Sequence, residues 1–203
     1  LGYKVRSSRA PKAIINVEVS AVTGISTATI PKGFSFQSSL NNVPYFFITN
    51  EAVTKSRENN VLRFENLEVF EGTLITTKYT VDADNVDQRF IVPDLKADMS
   101  TLKVTVQNSS TDSTTQTYTE SGDIVQATST SNIYFVQEVE DGQHEIIFGD
   151  GVIGKKLTDG NIVTLEYIVT NETLANGATN LTGSSQIGGS TAYTVTTTSA
   201  ASG

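Results

Sequence analysis

Short stretches in which apolar and polar residues alternate recur along this chain of 203 residues, and their period is two rather than 3.6. From Ile14 to Val22, Ile15, Val17, Val19 and Ala21 take one parity while Ile14, Asn16, Glu18, Ser20 and Val22 take the other, which predicts a strand with one better-buried face. Val163, Leu165, Tyr167 and Val169 repeat the pattern over Ile162–Val169. Val43–Thr49 is apolar and aromatic, and Pro44, which has no N–H for a ladder, confines it to a strand start or an edge. Val61–Val69 alternates less cleanly: Val61, Arg63, Glu65, Leu67 and Val69 share one parity and Leu62, Phe64, Asn66 and Glu68 the other, so neither face is cleanly apolar and the pattern leaves the buried face open. Thr73–Val81, Phe90–Val92, Leu102–Val106, Ile133–Val136 and Glu145–Phe148 are further extended segments.

Turn chemistry separates these runs. Pro31 and Gly33 mark a hairpin-like reversal before Phe34–Phe36, and Gly72 marks a bulge or bend. Asp141-Gly142 joins two alternating runs and predicts a hairpin, because glycine accepts the positive φ of a tight turn. Asn108–Thr117 is nearly all Ser, Thr, Asp, Asn and Gln and reads as a long solvated loop, and Ala52–Asn59 as a short helical turn. Leu1–Lys12, which carries four of the 14 basic residues, reads as a connector. Beyond Asn171 the composition turns to Gly, Ser, Thr and Asn, and the final Ala200-Ala201-Ser202-Gly203 does not look like the end of a core.

The expectation is an all-β, mainly antiparallel fold: a β-sandwich-like module with a small inserted or adjoining β subdomain and little helix. The expected organisation is a β domain over 1–92, a smaller subdomain with a Ser/Thr-rich loop over 93–150, a returning strand over 151–175, and a connector over 176–203.

Composition narrows the function. With 14 Lys+Arg against 22 Asp+Glu the formal charge is -8, and a phosphate backbone is bound through cations, so no nucleic-acid partner is expected. No stretch approaches the ~20 apolar residues that span a bilayer, and the N-terminus lacks the plan of a secretory signal, so no membrane partner is expected. The absence of cysteine removes disulfides and thiolate chemistry together.

One string invites a chemical reading. Gly149-Asp150-Gly151-Val152-Ile153-Gly154-Lys155 contains G-x-G-x-x-G and all of a phosphate-binding loop except its Ser or Thr, which is Lys156. Such loops work because glycines bring amides to a phosphate at the N-terminus of a helix. Here Lys156–Gly160 spells a second turn, so Phe148, Gly149, Asp150, Gly151, Gly154 and Lys155 are read as a structural bend between two strands. Asp82, Asp84 and Asp87 lack the ligand spacing of a calcium loop, since Val86 stands where an oxygen is needed. His144, the single histidine, is expected at an exposed strand edge. Glu138 and Glu140 share a face but have no partner across a cleft. No catalytic residue, metal or cofactor is expected.

Three clusters together carry a resemblance: Leu1-Gly2-Tyr3 with Arg9–Ala13, Ile30–Phe36, and Phe148–Lys155 followed by Gly160–Val163. With Phe70–Thr73 and Gln88–Pro93, the chain resembles the Baseplate J-like proteins, and among them the baseplate wedge subunits of T-even-like contractile-tailed phages. The likeness covers nearly the whole chain and is weakest over Asn108–Thr130. It implies a non-enzymatic structural subunit of a phage tail baseplate, the middle of a longer protein, joining wedges into the ring around the tail hub. It implies as partners other copies of the chain and other wedge and hub-proximal proteins, and as location the virion, assembled in the host bacterial cytoplasm. An alternative stays open: a surface β module that binds carbohydrate or a receptor through Tyr45, Tyr118 and Tyr134.

Overall fold

The computed structural model describes residues 7–20, 24–122 and 127–203. Among them the regular structure is β, with two 3₁₀ turns at Glu140–Gly142 and Glu172–Ala175. In chain order the strands begin with β1 (Lys12–Ser20), β2 (Thr27–Ile30), β3 (Ser35–Leu40), β4 (Val43–Thr49) and β5 (Val53–Ser56). There follow β6 (Val61–Glu71), β7 (Thr73–Thr80), β8 (Ile91–Val92), β9 (Ala97–Gln107) and β10 (Thr115–Glu120). The last are β11 (Ile133–Glu138), β12 (His144–Phe148), β13 (Ile162–Val169), β14 (Thr182–Gly183) and β15 (Tyr193–Ser202). The all-β class expected from the alternation is what the chain adopts, and all but one of the pairings with an assigned register, that of β10 with β11, are antiparallel.

Two compact units form, Arg9–Leu74 with Ile168–Gly203 and Leu1–Ser8 with Ile75–Tyr167. The first holds a six-stranded sheet in the order β14-β3-β4-β6-β1-β15 and a small β2-β5 ribbon. Ile15, Val17 and Val19 of β1 point inward with Phe36, Phe47, Leu62 and Phe64, as their parity predicts; Ala21 and Val22 lie outside the described residues. Pro44 sits where β4 pairs with β3 alone, since the β4-β6 ladder covers only Phe47–Thr49. The sheet curls until its two ends meet, where the Tyr193 hydroxyl donates to the Ser185 carbonyl at 2.6 Å, just past β14. Glycine at 183 leaves room for the Tyr193 ring, which a Cβ there would push aside.

The parity conflict in Val61–Val69 resolves as a β-bulge. Ile15 pairs with Leu67 and Val17 with Phe64, so two steps on β1 match three on β6. The extra residue lies beside Asn66, which takes a left-handed φ of 54° and donates its N–H to the Asn16 side chain at 2.9 Å. Leu62 and Phe64 before the bulge and Leu67 and Val69 after it therefore all face the core.

The second unit holds a sheet in the order β7-β13-β9-β10-β11-β12-β8. Its end strands also meet: the Tyr79 hydroxyl of β7 donates to the Ile91 carbonyl of β8 at 2.6 Å. The predicted hairpin forms from β11 and β12, with Asp141 (φ 64°) and Gly142 (φ 74°) in the turn.

Several segments differ from the sequence expectation. Ala52–Asn59 holds strand β5, because pairing with β2 supplies the ladder that its polar residues do not advertise. Pro31–Gly33 does turn the chain, but β2 and β3 do not pair with each other: β2 joins β5, and β3 joins β4 and β14. Only Asn108–Thr114 is a loop, with Thr115–Glu120 forming β10 against β9. Tyr193–Ser202, polar in composition, is a ten-residue strand along β1, and Ala175, Ala178, Leu181, Ile187 and Ala201 join the core.

Candidate functional site

The glycine-dense loop leaves β12 at Phe148, whose ring packs edge-on against Phe90 (5.2 Å between centroids) and Tyr118 (5.5 Å). Gly149 forms an isolated parallel bridge with Lys156, and a Cβ on it would collide with the backbone of Gly154. Gly151 and Gly154 have φ of 91° and 82°, the region that favours glycine.

The amides from Gly151 to Lys155 are all used by the protein. Gly151 N–H donates to the Gly154 carbonyl (3.1 Å), Val152 and Ile153 to the Asp150 carboxylate (2.8 and 2.9 Å), Gly154 to the Thr128 carbonyl (3.0 Å), and Lys155 to the Ser131 carbonyl (2.8 Å). The Ile153 and Val152 amides, with Lys156 nearby, hold the Asp150 carboxyl below its usual range. Lys155 Nζ is engaged by Gln116 Oε1 at 2.8 Å. Behind Lys155 come the Lys156 bridge, a turn at Asp159-Gly160 and then β13, so no helix dipole points into the loop. The anion that this loop holds is its own aspartate, and no amide from 151 to 155 is left for a phosphate.

The other candidates are dispersed. Asp82 and Asn85 accept backbone N–H groups of Asp84 and Asp87, which makes Asp82–Asp87 a pair of self-capped turns. No group of three His, Cys, Asp or Glu able to hold a metal occurs among the described residues. Tyr118 and Tyr134 are buried, at 3% and 4% exposure, so neither offers a face for a sugar to stack on. Burial, with Glu120 nearby, raises the Tyr134 hydroxyl to about 12.

His144 overturns an expectation. It is buried, with both ring nitrogens enclosed and unpartnered, because it shares its parity on β12 with the buried Ile146. The H-x-I spacing was the available signal. Glu71 was missed as well: beyond the bulge it has the parity of Leu67 and Val69 and so turns inward. Its carboxylate accepts from Thr170 Oγ1 (2.7 Å), Asn171 N (2.9 Å) and Asn171 Nδ2 (2.7 Å), tying the end of β6 to the turn after β13.

Comparison with known proteins adds the family. Residues 74–176 match the family described as bacteriophage baseplate wedge protein gp6, third domain. The chain is 29% identical over 197 residues to the baseplate wedge protein gp6 of Enterobacteria phage T4, a match that covers 87% of this chain and 28% of that protein. The chain thus spans less than a third of the length of that relative.

Proposed function

The chain belongs to the bacteriophage baseplate wedge protein gp6 family, and from that premise we propose that it is a structural segment of a baseplate wedge, without catalytic activity of its own. The observation that carries this reading is the match over residues 74–176, half of the chain, to a domain of a wedge protein. Within that span lies the loop whose string suggests nucleotide chemistry, and its amides close on the protein itself, which suits a scaffold. The loop then acts as a latch that holds the end of β12 against the 128–131 segment.

The finer reading places the segment in the virion tail, in contact with other copies of itself and with other wedge and hub-proximal proteins in a ring that rearranges when the sheath contracts. Assembly in the host cytoplasm and the wider kinship with Baseplate J-like proteins belong to the same proposal. The decisive experiment is electron cryomicroscopy of the parent particle. Density for both sheets within the baseplate is the expected result; density for them on a tail fibre or the capsid would overturn the assignment.

A further inference from the structure

In the second unit, β12 outruns the strand beside it. β8 pairs with it only through Val92 to His144 and Ile91 to Glu145, and the Ile146 N–H then donates to the Phe90 carbonyl at 2.8 Å. On the other flank β11 continues to Phe148. Past Ile146, no strand among the described residues pairs with the β8 side of β12. Ladder geometry turns the N–H groups of alternate residues to the same side, so the Phe148 N–H follows Ile146 toward this open edge.

Beside the open edge lies a groove of about 460 Å³, lined by Val86, Phe90, Ile147, Phe148 and Leu157 among others. Val86 is 91% exposed at its lip and Ile147 is 38% exposed. A valine so placed contributes nothing to folding by burial and would contribute only when something covers it. The rim is acidic. Asp82 lines the groove and Asp84 and Asp87 lie on the same loop, while Asp159 accepts the Ala83 N–H at 3.0 Å. Glu145 is neutralised by Arg89 at 2.8 Å, and Lys156, the cation of the lining, stands in the field of Asp150.

We propose that this groove docks an extended segment of a different protein, in which apolar residues alternate with lysine or arginine, as a strand added to the open edge of β12. Main-chain bonds would extend the ladder, alternate apolar side chains would cover Val86 and Ile147, and the intervening cations would meet the acidic rim. A second copy of this chain fits less well, since with 22 acidic residues against 14 basic it brings like charge to that rim. The inference deepens the assembly reading and rests on it for the partner being a neighbour in the baseplate.

The test is a titration of the isotope-labelled chain with a synthetic ten-residue peptide of alternating valine and lysine, and with its valine–glutamate counterpart, followed by amide chemical shifts. The lysine peptide is expected to give saturable shifts concentrated at Asp82–Phe90 and Ile147–Gly149, weakened by salt, with the glutamate peptide bound at least about tenfold more weakly. Val86→Ser, which leaves the charge unchanged at an exposed position that folding does not use, is expected to cost about another tenfold, the worth of one covered valine. Absence of saturable shifts, shifts at another edge, or equal binding of both peptides would overturn the proposal. So would a chain that self-associates through these same amides without peptide. Microscopy placing the chain outside the baseplate would remove the proposed partner but leave the titration result unchanged, so the two failures are distinguishable.

Discussion

Replacing Glu71 with alanine is the sharpest probe of how the first unit is held. Glu71 is 1% exposed and Thr170 is 2% exposed, so the bond between them is made away from water, while the two bonds from Asn171 are partly buried. Each hydrogen bond to a charged acceptor contributes ~1.5–3 kcal/mol, and alanine leaves the buried Thr170 hydroxyl without its acceptor, while the N–H groups of the exposed Asn171 can turn to water. Relief of the desolvation of the carboxylate offsets part of that loss. The net figure is that of losing one buried and two partly buried hydrogen bonds to a charged acceptor, ~2–4 kcal/mol. For a chain of this size it corresponds to a drop in melting temperature of roughly 4–16 °C. Glu71→Gln should fall between, at ~1–2 kcal/mol, because one oxygen can still accept from Thr170 and Asn171 while the new amide faces the Asn171 side chain. Urea denaturation, with hydrogen exchange at the Asn171 amide as the local readout, measures both variants. An alanine variant within about 1 kcal/mol of the parent, or a glutamine variant that falls as far as alanine, would refute the role given to the carboxylate.

Other expectations follow from the glycine loop and the titrating groups. Gly154→Ala should lower stability by ~1–3 kcal/mol in thermal unfolding, because φ is 82° and the new Cβ would stand 2.9 Å from Ile133 Cγ1. Gly151→Ala, whose nearest neighbour is Lys156 Cβ at 3.6 Å, should cost only the positive φ, about 1 kcal/mol. Bonds from Asn108 and Thr114 lower the Asp112 carboxyl from 3.8 to about 2. Its contribution is therefore complete above pH 3.8 and lost as pH falls through about 2; a carboxyl titration by NMR with a midpoint at or above 3.8 would contradict this. Burial, reinforced for Tyr134 by Glu120 and for Tyr167 by its bond to Asp94, raises both hydroxyls from 10.0 to about 12. The stabilisation they give the neutral form is complete below pH 10.0 and lost as pH rises toward 12, so both should ionise last in a spectrophotometric titration.

What could be read from the sequence depended on whether a strand's own residues record its burial. In β1 and β13 they do: Ile15, Val17 and Val19, or Val163, Leu165 and Tyr167, face the core on one parity, and the alternation is visible without the partner strand. β10 and β15 are strands for the opposite reason. Gln116-Thr117-Tyr118 and Thr194–Ser199 carry no apolar stripe of useful length, and their extended form comes from the ladders of β9 and β1. Pairing partners are non-local information, which is why the Pro31–Gly33 turn was legible while the pairing of β2 with β5 was not. The bulge at Asn66 shows a third case, in which the pattern was present but broken in two. Leu62 and Phe64 against Leu67 and Val69 is what one inserted residue does to a period of two, and a change of parity beside an asparagine is a signal that could have placed Glu71 inside.

The same distinction separates a motif from a site. A string such as Gly149–Lys155 specifies where a chain can bend sharply, since glycine is what positive φ and close backbone approach require. It does not specify what the freed amides face. In a phosphate loop the following helix leaves its first N–H groups pointing outward, so the donors have no internal acceptor. Here the chain goes from Lys155 into a bridge, a turn and β13, and Asp150, Thr128 and Ser131 supply acceptors within the fold. Moving the carboxylate into the loop converts an anion receptor into a closed bend, because the donors are satisfied before any ligand arrives. Asp150→Asn would keep one acceptor and most of the bend, so even that change should create no phosphate site while β13 follows directly behind. Phosphate-dependent shifts in the amides of Val152 and Ile153 in this variant would show that the aspartate, and not the missing helix, excludes the anion.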